Sequence, residues 1–169
     1  MADKDAVDTA WRVHAAVVDW TGKVDTKASY TLTLETAVMV GVVTLSSNGR
    51  VLTTLEGWRQ VSFVAGAALL VGAILCAAFV VLPRLRSRKK LQAEAATNFI
   101  YFGHLKFSHP SAIARQLNNA EALLPALANQ LHQMSRIAWR KHRFVQISML
   151  LAIVGVIAIS AAALFPGRG

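Results

Sequence analysis

The run VSFVAGAALLVGAILCAAFVVL, residues 61–82, holds 22 residues without a charge or a proline. As a helix it would extend about 33 Å at 1.5 Å per residue, enough to cross the ~30 Å hydrocarbon core of a bilayer. Core helices of proteins that fold in water rarely keep more than about 14 apolar residues uninterrupted, so this stretch reads as a transmembrane helix. A second uncharged run of 22 residues, 144–165, repeats the signal. A third, residues 28–47, is apolar enough to span but carries Glu35.

Composition agrees. Hydrophobic residues make up 54% of the 169 and the mean hydropathy is +0.43, well above the usual range for a water-borne domain of this length. The first 27 residues hold Asp3, Asp5, Asp8, Asp19 and Asp25 and lack an apolar core, so they do not read as a cleaved signal peptide. The expected fold class is an all-α membrane protein. Its three transmembrane helices are joined by an N-terminal amphipathic helix and a cytoplasmic helical segment between the second and third spans. The expected order is a cytoplasmic helix over 1–27, spans over 28–47, 61–82 and 144–165, an external loop over 48–60, a basic helical region over 83–143 and an external tail over 166–169.

Orientation rests on where the cations lie, because Lys and Arg flanking a span favour the cytoplasmic side. Residues 83–143 contain eleven Lys and Arg against only Glu94 and Glu121, whereas the 48–60 loop has Arg50, Arg59 and Glu56. The long middle segment is therefore placed inside, with the N-terminus, and the C-terminus outside. The formal charge of +9 equals that of the middle segment, so the basicity is local. Runs at 84–90 and 140–143 abut span ends, where anionic lipid head groups would meet them. No nucleic-acid-binding motif accompanies the charge.

The single cysteine, Cys76, lies inside the second span, which leaves neither a disulfide framework nor a cysteine metal site. The five histidines show no paired-ligand spacing, and no phosphate loop, nucleophile elbow or carboxylate pair is present, so no metal, cofactor or enzymatic activity is expected.

Outside the spans, Val7, Trp11, His14, Val17 and Val18 form a helical stripe. Ile113, Leu117, Ala120, Leu124, Leu127, Leu131, Met134 and Ala138 alternate steps of four and three, a helical seam suited to mutual packing or oligomerisation. Pro125 interrupts that seam and predicts a kink or break, with Asn118 and Glu121 capping the preceding turn. Gly66, Ala67, Gly72 and Ala73 would let helices approach closely in an assembly. Glu35 should face a partner helix, water or a neighbouring subunit, or hydrogen-bond to Thr31 or Thr33 near the interface. Asp25 and Lys27 read as an interfacial anchor pair. Between the basic run and the seam, Asn98, Tyr101 and His104 offer polar groups beside Phe102 and a glycine, which suits either packing or ligand contact.

Four blocks in order carry a family resemblance: Asp25-Thr26-Lys27-Ala28, Leu32-Thr33-Leu34-Glu35, the run FIYFGHL at 99–105 and the run QMSRIAWRKHR at 133–143. Together they resemble the transmembrane effectors of Pycsar antiphage defence, the PycTM family. The resemblance implies an effector whose partner is a pyrimidine nucleotide cyclase and whose activating ligand is a cyclic pyrimidine mononucleotide, cyclic UMP or cyclic CMP. It further implies impairment of the inner membrane and abortive infection. For such a ligand, Arg136, Arg140 and Lys141 could bind the phosphate, Tyr101, Phe102 or Trp139 could stack on the base, and Asn98 and His104 could reach its edge. Asp25, Lys27 and Glu35 are the candidates for gating or assembly, in a homo-oligomer within the lipid bilayer. A small membrane scaffold, or a channel subunit without nucleotide dependence, is the alternative.

Overall fold

The computed structural model describes residues 4–47, 55–83, 87–95 and 98–164. Arg84, Arg86, most of the 48–60 loop, Phe165 and the 166–169 tail lie outside the described residues. Among the described residues six helices follow one another: α1 (Lys4–Ser47), α2 (Trp58–Val81), α3 (Arg88–Glu94), α4 (Phe102–Leu105), α5 (Pro110–Asn118) and α6 (Ala120–Leu164). No strand occurs among the described residues. Three of the helices, α1, α2 and α6, are long and apolar enough to cross a membrane. At 24 residues α2 matches a bilayer, whereas α1 and α6, at 44 and 45 residues, are each about twice as long as the roughly 20 residues a crossing needs.

Helix ends follow local chemistry. Pro83 disfavours helical backbone at the residue before it, so Leu82 turns extended (φ −63°, ψ 126°) and closes α2, its own N–H still donating to the Ala78 carbonyl at 2.9 Å. At the other end Gly57 holds φ +59°, a conformation that costs glycine nothing. Pro110 opens α5 from the first helical position, and the His109 ring accepts from the Ser111 N–H at 3.4 Å. Of the kink or break expected at Pro125, the break falls instead at Asn119. There the backbone leaves the helical region (φ −89°, ψ 91°), and the Asn119 side chain accepts from the Glu121 N–H at 3.2 Å to start α6. Pro125 then sits inside α6, in its second turn, where its missing N–H forfeits one hydrogen bond, to the Glu121 carbonyl.

The chain forms two compact units. The first comprises 1–23 and 83–140, the second 24–82 and 141–169.

In the second unit, α2 packs antiparallel to α6. Arg59 Nε donates to the Ala162 carbonyl at 2.9 Å, Ser62 Oγ to Ala158 at 3.0 Å, and Ser148 Oγ contacts Ala73, an evenly decreasing register along α6. Arg59 thereby meets a carbonyl whose helical donor would be residue 166, a proline without an N–H. Midway, Gly66 and Gly155 bring the two backbones together. A Cβ on Gly66 would lie 2.7 Å from the Gly155 carbonyl oxygen, and one on Gly155 would lie 2.8 Å from that of Gly66. Gly66 and its neighbour Ala73 thus serve contact between two helices of one chain. α1 runs parallel to α6, with Asp25 meeting Lys141 and Glu35 meeting Ser148 further along both helices. Val24 and Ala28 of α1 join Val80 of α2 and Phe144 and Val145 of α6 in the apolar cluster at one end, where the Phe79 and Phe144 rings are 4.8 Å apart.

The outer surface of this unit is apolar. Leu34, Val61, Leu75, Leu150 and Ile157 are all more than 60% exposed, while Glu35 and Ser148 are buried, the reverse of a fold built for water. Four hydroxyls of α1 fit that setting because they donate to their own helix: Ser29 to Asp25, Thr33 to Ser29, Thr36 to Leu32 and Thr44 to Val40, all within 3.0 Å.

In the first unit the inward stripe of α1 runs through Val7, Ala10, His14 and Val17. Val17 is buried, whereas Val18 is 49% exposed and Trp11 lies outside the stripe with its ring edge-on to His14 at 5.4 Å. The seam of α6 holds from Leu124 to Ala138, with Leu127 fully buried, but Leu117 and Ala120 on either side of the Asn119 break are exposed.

Gly66→Ala and Gly155→Ala should each destabilise the protein by about 1–3 kcal/mol, because the added methyl meets backbone rather than a flexible side chain. Gly41→Ala, which meets open space, should leave the thermal midpoint unchanged or raise it slightly. Thermal unfolding of the three purified variants in one detergent checks the ranking.

Candidate functional site

Two places gather chemistry, one in each unit. In the first, the segment after α3 folds over Leu91, Ala95 and Phe99, all buried, and delivers His104 to a position only 3% exposed. The His104 Nε2 atom lies 3.5 Å from the Glu94 carboxylate, and its ring meets the edge of Tyr101 at 5.5 Å. Tyr101 also packs on Phe102, with centroids 4.5 Å apart. Gly103 is required for this knot: a Cβ there would run into the Tyr101 ring and lie 3.3 Å from Leu91. Arg88 sits over the Phe107 ring at 5.8 Å, a cation–π arrangement.

Asn98 ties the same segment to α6, accepting a 2.6 Å hydrogen bond from the Asn129 amide. Seven and eleven residues beyond Asn129, Arg136 and Arg140 return to the same side of the helix, and both are exposed. Trp139 leaves α6 about a quarter-turn round from Arg140 and is 68% exposed, and Phe102 is 67% exposed. Asn98, Tyr101, Phe102 and His104 are therefore drawn into one local assembly, while Arg136, Trp139 and Arg140 stand on α6 itself.

Lys141 is engaged elsewhere. Its ammonium donates to both carboxylate oxygens of Asp25, at 2.6 and 2.8 Å, with the two side chains 26% and 42% exposed. The hydrogen-bond partner of Asp25 is thus on α6, just ahead of the third span, while Lys27, two residues further along α1, is exposed. A lysine two residues along the same helix points the wrong way round, whereas Lys141 approaches from the facing helix.

Glu35 forms the second unit's polar centre. Its Oε1 lies 2.7 Å from Ser148 Oγ, which lies 2.8 Å from the Ala73 carbonyl, so one serine touches both other spans. Thr33, a partner the sequence offers, donates to Ser29 of its own helix instead. Glu94, Asn129 and Ser148 escape a reading of the sequence. For Ser148 a signal existed: a carboxyl within a span requires a polar partner, and the third span offers only Gln146, Ser148 and Ser160. Among the described residues no cluster of three potential metal ligands occurs.

These features define a helical membrane protein with three spans and an attached helical unit that exposes aromatic and Arg side chains. The family model described as Pycsar effector protein domain, PycTM, matches residues 9–167. The chain belongs to that family of antiphage defence. A curated relative, the Pycsar effector protein PtPycTM of Propioniciclava tarda, is 23% identical over 168 residues, covering 93% of this chain and 78% of the relative. No solved structure matches. The four blocks that carried the resemblance coincide with the structural contacts: the Asp25–Lys141 pair, the Glu35 node, the Tyr101–His104 knot and the Arg136–Arg140 face.

Exchanging the pair tests its contribution. Asp25→Lys and Lys141→Asp should each lower the thermal midpoint, and the double exchange should recover part of the loss. The coupling should be about 0.5–1 kcal/mol, small because both groups are partly exposed.

Proposed function

We propose that this chain is a non-enzymatic effector of the inner membrane, activated by a cyclic pyrimidine mononucleotide, cUMP or cCMP, that a partner cyclase makes on infection. Activation impairs membrane integrity and aborts the infection. The observation that carries this reading is the match to the Pycsar effector family over nearly the whole chain, joined to three helices able to cross a bilayer. The cation distribution supports a cytoplasmic N-terminus, an external C-terminus and a cytoplasmic 83–143 region, where a cytosolic nucleotide would be met. Function in a homo-oligomer is part of the same proposal.

The ligand surface we propose lies on the first unit. Its single phosphate charge suits Arg136 and Arg140, which share a side of α6, and guanidinium forks bind phosphate oxygens in pairs. The exposed rings of Phe102 and Trp139 offer stacking faces for a pyrimidine, with Tyr101 and Asn98 beside Phe102 to hold and read it and the buried His104 behind them, edge-on to Tyr101. Lys141, bound to Asp25, is left out of this surface.

Liposomes loaded with a self-quenched dye and containing the purified chain should release it on addition of cUMP or cCMP and not of cAMP. A membrane scaffold would release none with any nucleotide, and a channel subunit would leak without one. In equilibrium binding, Arg140→Ala should weaken the nucleotide at least tenfold, which is about 1.4 kcal/mol. Unchanged affinity in both Arg136→Ala and Arg140→Ala would remove this face from the site.

A further inference from the structure

The Glu35 node contains more acceptors than its visible hydrogen can serve. A serine hydroxyl carries one hydrogen, yet Ser148 Oγ lies at hydrogen-bond distance from two oxygens, Glu35 Oε1 at 2.7 Å and the Ala73 carbonyl at 2.8 Å. With an ionised Glu35, Ser148 could satisfy only one of them, and two lone-pair oxygens would face each other across the remaining gap. One further proton resolves the geometry, and the carboxyl is the group able to carry it.

The surroundings point the same way. Glu35 is 4% exposed, its Oε2 has no hydrogen-bond partner among the described residues, and no ion pair to it is seen among them. α6 brings no charge to it, since residues 144–164 carry none, and Lys141 is held by Asp25. α2 contributes one titratable group within electrostatic reach, the thiol of Cys76. On α1 the nearest charge is Lys27, two turns away and exposed. A carboxylate without a cation in such a place is costly, and the neutral acid is the form a bilayer interior accepts.

We propose that Glu35 is a proton-binding site at the centre of the three spans: the neutral carboxyl donates to Ser148 Oγ, and Ser148 in turn donates to the Ala73 carbonyl. The proton is thus a structural ligand that joins α1, α6 and α2 in one chain of hydrogen bonds. Removing it leaves a single hydrogen for two acceptors and places an unpaired charge against Ser148, so the contact between α1 and α6 loosens. The inference stands on the node alone and does not depend on the nucleotide reading.

The test uses the full chain in lipid nanodiscs. At neutral pH, infrared spectra of the wild type minus Glu35→Gln should show the carbonyl stretch of a protonated carboxyl, and Ser148→Ala should keep that band but move it to higher frequency as its hydrogen bond is lost. A carboxylate band in the difference spectrum, or a protonated band that Ser148→Ala leaves in place, overturns the proposal. Because the folded state holds the proton, stability present at neutral pH should be lost as pH rises. The wild-type thermal midpoint should therefore fall on alkalinisation more steeply than that of Glu35→Gln, which retains Cys76 and the Asp25–Lys141 pair and so cancels their contributions. Parallel pH profiles in the two proteins would also overturn it, and Ser148→Ala keeps the spectral test available if the Gln variant does not fold.

Discussion

Hydrocarbon donates and accepts no hydrogen bonds, and every polar atom placed within it must find its partner inside the protein. That constraint shapes the second unit throughout. Within the three described spans the backbone satisfies it by being helical, and Thr33, Thr36 and Thr44 of α1 by turning back onto their own helix's carbonyls. Ser148 and Ser62 bond outward to neighbouring helices instead, and these are the points where one span is fixed against another.

Where hydrogen bonds are few, shape does the rest. Between molecules as apolar as lipid tails, helices gain little from hiding leucine, so they associate through close backbone approach. Gly66 and Gly155 provide it, each leaving the space that the other's carbonyl oxygen occupies, and the register continues to Ala73 and Ser148. Leu34, Leu75, Leu150, Ile153 and Ile157 are left outside, where lipid meets them, while Leu70 packs fully inside. The first unit follows the familiar rule for water, burying Leu91, Phe99 and Leu127 and exposing Arg136 and Arg140.

The second and third spans were legible in the sequence because a charge-free run of about 20 residues has few other uses, and the first because a single carboxyl, Glu35, interrupts an otherwise apolar run. So was the need of Glu35 for a partner, since a carboxyl in a span must be answered. Which group answers it was not, because Ser148 lies 113 positions away and only the packing of α1 on α6 brings it near. The Asp25–Lys141 contact was hidden for the same reason: closeness along the chain is visible in a sequence and facing helices are not. Pro125 does not break the chain because proline forbids one hydrogen bond, not a helix; near a helix start that loss is small, and Asn119, able to cap with its own side chain, is where the chain breaks. In the candidate ligand surface the aromatic and basic residues stood out by type, while Glu94 and Asn129, which hold His104 and Asn98, carried no local mark.

The self-contained hydroxyls of α1 have one more consequence. Thr33, Thr36 and Thr44 lie on an exposed face, each already donating to the turn before it. Exchanging oil for water along that face ruptures no bond within the protein, and the spare lone pairs would simply become wet. One side of the first span is thus amphibious, indifferent to which solvent touches it, which is the property a helix needs if the barrier around it is to be breached.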